Sequence, residues 1–194
     1  MFREESGFPL WEYRRIFSKD QFHTAAVSGD VTLLNWPMND YFLGNIYDCS
    51  EEEKETHLYQ AKQLSLSLLY WLQTEAPRPD GGAGYPGLKL RKDIFETEDG
   101  LAKYPYIRES RRIKAEYTIT EHDVSPDFND GRTGKKYKDR IGLGSYSIDL
   151  HPSMSGRSYI DIPALPYHIP LGALITKDAD NLLAGCKNIG TTHI

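Results

Sequence analysis

Cysteine is scarce in this chain: two in 194 residues, Cys49 and Cys186, far apart and outside any C-x-x-C spacing. A disulfide framework and a structural zinc site are therefore not expected. No apolar run approaches the roughly 20 residues that a membrane helix needs, so no membrane-spanning segment is expected. The first residues carry no secretion signal, and the compartment is left open. Basic charge is not in excess: 23 Lys and Arg stand against 28 Asp and Glu, a formal net charge of -5. The one basic run is Arg132, Lys135, Lys136, Lys138 and Arg140. It lies among Asn129, Gly131 and Gly134 and reads as a solvated loop, so a nucleic-acid partner is not expected. His23, His57 and His168 are isolated, and no H-E-x-x-H or two-His-one-carboxylate spacing appears, so no metal site is expected. No G-x-S-x-G nucleophile elbow occurs either.

What is present is aromatic. The chain has 13 Tyr and three Trp, amphipathic side chains that half-bury on sheets or line pockets. One helix is clear, from about Glu51 to Glu75. Ser50 and Glu53 have the spacing of a capping box, and Glu51, Glu52 and Glu53 suit the positive end of the helix dipole. Leu58, Ala61, Leu64, Leu68 and Leu72 recur at three- and four-residue steps, and Pro77 and Pro79 stop the helix. Its apolar face is expected to pack on a sheet.

Strands are expected at Trp11 to Phe17, Val31 to Trp36, Arg111 to Thr120, Gly144 to Leu150, His168 to Ile175 and Leu182 to Ala184. In the third, Ile113, Ala115, Tyr117 and Ile119 face one way, and Arg111 falls on their side. The sum is α+β: a mixed or mostly antiparallel sheet packed with one long helix. Gly82-Ala83-Gly84-Tyr85-Pro86-Gly87 spells G-x-G-x-x-G but follows a helix and contains Pro86. It reads as a loop, not a dinucleotide cradle.

Three segments could carry chemistry. Arg108-Glu109-Ser110-Arg111-Arg112 puts three guanidinium groups in five residues, able to grip a carboxylate, a phosphate or a ring carbonyl. A salt-bridged strand entry, with Glu109 and Glu116 as partners, accounts for the same residues. Asp149 and His151 share one polar strand face with Ser145 and Ser147. An imidazole oriented by a carboxylate moves protons near neutral pH; a merely solvated face is the alternative. Glu121-His122-Asp123 looks similar on paper but falls at a turn. Last, Asn181 to Ile194 is a short apolar strand entering a Gly/Thr/Asn turn, where backbone N–H groups can approach a ligand. A domain rarely stops there, so the ending reads as the cut end of a longer protein.

Several stretches together resemble the FAD-dependent oxidoreductase family with a glutathione-reductase-like fold. They are Asn35-Trp36-Pro37 with Asn39-Asp40-Tyr41, Tyr106 to Arg112, Gly144-Ser145-Tyr146 with Asp149-Leu150-His151-Pro152, Ile169-Pro170 with Leu174-Ile175, and Asn181 to His193. They stand in the family's order and cover most of the chain from about residue 30 on. The resemblance implies a substrate-binding domain over 1–176, and over 177–194 one strand and turn of an FAD-binding domain. It implies that Gly185, Asn188, Thr191 and His193 approach the flavin, although Cys186-Lys187 stands where the family more often has Gly-Arg. On this reading a substrate C–H passes a hydride to FAD in the full protein, and this chain alone is expected to be inactive and not to retain the cofactor. Arg108, Glu109 and Arg111 would anchor substrate, His151 with Asp149 would be the acid/base, and Ser145 and Ser147 would hydrogen-bond a small, sugar-like substrate. A non-catalytic carbohydrate-binding or interaction module is the alternative. The oligomeric state is left open.

Overall fold

A computed structural model describes residues 10–23, 29–107, 111–152, 156 and 159–192. The chain forms two compact units, Met1–Pro105 and Tyr106–Ile194. The architecture is mixed, one long helix with small antiparallel sheets, as the sequence pattern led one to expect. Among the described residues no helix is long and apolar enough to cross a membrane.

The first unit opens with α1 (Leu10–Tyr13) and β1 (Arg15–Phe17). The aromatic run from Trp11 is thus a helical turn before it is a strand. β1 pairs antiparallel with β2 (Val31–Thr32), Arg15 opposite Thr32 and Phe17 opposite Val31. The long helix, α2, spans Glu51–Thr74. Its capping box is formed: the Ser50 hydroxyl accepts from the Glu53 amide at 3.2 Å, and the Glu53 carboxylate accepts from the Ser50 amide at 2.8 Å. Where a sheet partner was expected, the helix packs Leu68, Trp71 and Leu72 against Leu34, Trp36, Ala76, Tyr85 and Leu88. The difference follows from the Pro/Gly-rich segment after the helix. The Gln73 side chain donates to the Leu88 carbonyl at 2.7 Å, and the Tyr85 amide to the Leu72 carbonyl at 2.9 Å, so the chain doubles back along the last turns. Gly82 to Gly87 lies within that return as a loop. A single turn, α3 (Lys92–Phe95), follows.

The second unit contains α4 (Glu121–Val124), β3 (Arg140–Gly144), β4 (Ile148–Leu150), β5 (Ile160–Ile162) and β6 (Tyr167–Pro170). β3 pairs antiparallel with β6, and β4 with β5. Gly144 and Leu150 therefore belong to different ladders, and the alternating run expected as one strand is broken at 145–147. The core gathers Ile119, Val124, Ile148 and Ala173, with Tyr117, Leu150, Tyr167 and Ile169 packed on it. Ala115 and Ile119 are buried while Lys114, Glu116 and Thr118 are exposed, so the expected facing of 113–119 holds. The segment is extended yet forms no ladder: it makes single bridges, antiparallel from Ala115 to Thr176 and parallel from Ile119 to Thr191.

Candidate functional site

The extended segment 111–120 and the stretch 185–192 are stitched together. The Ile113 amide donates to the Asn188 carbonyl at 2.9 Å, the Ile119 amide to the Gly190 carbonyl at 2.9 Å, and the Thr192 amide to the Ile119 carbonyl at 2.9 Å. The Asn188 side chain donates to the Arg111 carbonyl at 2.7 Å. Gly190 permits this approach. A Cβ there would lie 2.3 Å from the Ala115 Cβ and 2.5 Å from the Tyr117 carbonyl oxygen, closer than any real contact. The expected positions of Arg111 and Arg112 exchange: Arg111 is exposed, and Arg112 is half-buried with Nε donating to the Thr191 hydroxyl at 3.0 Å.

Beside this seam is a pocket of about 100 Å³. Its walls are the apolar side chains of Ile119, Val124, Ile148, Ile169 and Ile189. Tyr167 closes one side; its ring rests on the Gly144 backbone, where a Cβ would lie 2.3 Å from the ring. Thr191, Ser147 and Tyr146 complete its border. Two separated sequence stretches thus meet: the turn before β4 and the stretch that ends at Thr192.

Asp149 and His151 follow along β4. Ile148 faces the core, so strand alternation turns Asp149 to the other side. It stands opposite Asp161 in the β4–β5 ladder. His151, half-buried just past the strand, faces the Tyr159 ring at 5.8 Å between centroids. Ser145 is exposed and does not line the pocket. Gly185 is open, with nothing within 4 Å of where a Cβ would be. Arg108, Glu109 and His193 lie outside the described residues. Among the described residues no group of three or more His, Cys, Asp or Glu could hold a metal ion.

A polar cluster behind the core was not singled out from sequence. Asp123 is buried and caps α4: its carboxylate accepts from the Thr120 amide at 2.8 Å and from the Tyr117 hydroxyl at 2.8 Å. Lys135 Nζ reaches the Tyr117 hydroxyl at 2.7 Å and the Asp123 carboxylate at 3.3 Å. The Tyr137 hydroxyl donates to the Tyr117 oxygen at 3.2 Å. Burial raises the Asp123 pKa, but the hydrogen bonds from Thr120, Tyr117 and Lys135 outweigh it and hold the carboxyl below its usual value. The Tyr117 hydroxyl, foremost, and the Asp123 charge hold Lys135 above its usual value. Burial and the bond to Tyr117 push the Tyr137 phenol far up. The signal available in sequence was the Thr120-x-x-Asp123 spacing of a capping box. Lys135 is exposed on its loop, in keeping with a solvated basic residue, and is also the cation that this cluster recruits.

A family model described as FAD dependent oxidoreductase matches residues 2–194. No curated protein and no solved structure matches the chain.

Proposed function

The chain belongs to the FAD-dependent oxidoreductase family, and we propose that its second unit carries the substrate side of the flavin site, where a substrate C–H gives up a hydride. The observation that supports this reading is the shared border of the pocket, Ser147 from one stretch and Ile189 with Thr191 from the other. These residues suit a flavin. An isoalloxazine ring presents an apolar face and an edge of carbonyl and ring-nitrogen acceptors. At the border of the pocket the chain offers the apolar Ile189 and an unobstructed backbone at Gly185 to such a ring. Residues 177–194 are assigned to the flavin-binding part and the residues before them to substrate. When bound, FAD supplies the hydride acceptor.

The chain's own side chains then have separate tasks. The isoleucine walls exclude water from the reacting carbon, which strengthens every polar contact at the rim. Thr191 and Ser147 orient the substrate by hydrogen bonds. Arg111, exposed beside the seam, offers a positive charge to an anionic group on substrate or cofactor. His151 takes up the proton released from the substrate, at an imidazole nitrogen. Because Asp149 and His151 lie off the face that Ile148 turns to the pocket, only a substrate group that passes the end of β4 reaches the imidazole.

The test is anaerobic mixing of the full-length, flavin-loaded enzyme with a panel of small alcohols, amines, ketones and sugars, followed by the visible flavin absorbance. The expected outcome is bleaching by one class of compound, at least about tenfold slower in Ser147→Ala combined with Thr191→Val. Reduction by dithionite should be unchanged in that variant. Substrate-driven bleaching at the wild-type rate in the double variant would remove the pocket from the site.

A further inference from the structure

The hydrogen bond between Arg112 and Thr191 has a fixed sense. A guanidinium has donors and no acceptor. With Arg112 Nε donating at 3.0 Å, the Thr191 oxygen is committed as an acceptor. Its own O–H proton must point elsewhere, and no acceptor among the described residues takes it. Thr191 borders the pocket, so a hydrogen-bond donor stands at the edge of an apolar space. Ser147, which lines the same pocket, is exposed and also lacks a protein partner among the described residues.

The rest of the lining limits what can enter. Five aliphatic side chains, Ile119, Val124, Ile148, Ile169 and Ile189, offer no polar atoms and make up most of the wall, with Tyr146 and Tyr167 completing the lining. A polyol in that space would strand hydroxyl groups, each a loss of about 1–3 kcal/mol. A space of about 100 Å³ takes a compact body of about five or six heavy atoms. A small ring or branched chain with one carbonyl oxygen at the mouth satisfies both the walls and the Thr191 proton.

We propose that Arg112 is a positioning residue that fixes Thr191 as a donor, and that the pocket selects a ligand with a compact apolar body and a single carbonyl-type acceptor. This rests on the reading of the pocket as the substrate side and names the class of substrate group it takes.

The experiment uses the chain with isotope-labelled isoleucine methyl groups and two probes of nearly equal shape, cyclopentanone and methylenecyclopentane. Both should shift the methyl signals of Ile119, Ile169 and Ile189, and the ketone should bind at least about fivefold tighter, one hydrogen bond's worth. Thr191→Val should abolish that preference while methylenecyclopentane still binds. Thr191→Ser, which keeps the hydroxyl, should retain it, and Arg112→Leu should reduce it. Equal affinities in the wild type, or a preference that survives Thr191→Val, would overturn the donor assignment and leave the pocket standing. If neither probe moves the methyl signals, the pocket is no ligand site, and both readings fall together.

Discussion

Arg112 and Thr191 stand 79 residues apart in sequence and are joined by one hydrogen bond of 3.0 Å, from a guanidinium Nε to a threonine oxygen. It ties the extended segment 111–120 to the stretch that borders the pocket. Half-buried and charge-assisted, such a bond stabilises by about 1–2 kcal/mol.

A double-mutant cycle measures that bond. Arg112→Leu and Thr191→Val should each lower the urea midpoint, and together should lower it by less than the sum. The expected coupling is about 1 kcal/mol. Additivity to within about 0.3 kcal/mol would mean that the bond carries no stability.

Gly190 and Gly185 differ in what an added methyl group meets. At Gly190 the contacts are the Ala115 Cβ at 2.3 Å and the Tyr117 carbonyl oxygen at 2.5 Å, neither of which can swing aside. Gly190→Ala should therefore cost about 1–3 kcal/mol. Gly185→Ala, with nothing within 4 Å, should leave stability unchanged. Thermal or denaturant unfolding of the two variants compares them directly, and equal effects would contradict the seam.

Asp123 gives a pH dependence. Its carboxyl is held below its ordinary value in the folded chain. A depressed pKa adds stability that is present above the unfolded value of about 4 and is lost as pH falls through the folded one. Asp123→Asn should thus be less stable than wild type at pH 7, with the gap closing below about pH 4. Unfolding midpoints measured across that range decide it: a gap that stays constant would show that the carboxylate's charge contributes nothing.

His151→Ala separates chemistry from folding. His151 is half-buried against Tyr159 and outside the core, so the substitution should change stability little. A positioned acid or base contributes about a hundredfold or more, so turnover in the flavin-loaded enzyme should fall that far. Turnover within about threefold of wild type would take the imidazole out of the mechanism.

The long helix was legible because its signals are local: a capping box at Ser50, leucines at helical spacing, prolines after the end. The inward facing of Ile113 to Ile119 was legible for the same reason. What lay out of reach depends on partners far along the chain. Alternation alone puts Arg111 on the apolar side, but Thr191 draws in Arg112 and the parity breaks before Ile113. The break between β3 and β4 separates strands with different partners, β6 and β5, and nothing near Gly144 announces it. Glu121-His122-Asp123 reads only as a turn, since the partners of Asp123, namely Tyr117, Lys135 and Tyr137, are spread over 20 residues. In the pocket, sequence pointed to Thr191 and Ser147 separately; that they border one space is a fact of the fold.

The most direct test of the flavin site is the visible spectrum of FAD bound to the full-length protein during occupation of the pocket by cyclopentanone. The flavin absorbance should shift as the isoleucine methyl signals report binding, with the same midpoint, and neither change should occur in a variant whose pocket is filled by Ile169→Trp. Saturation of the methyl signals with an unmoved flavin spectrum would place the pocket away from the cofactor and contradict the assignment.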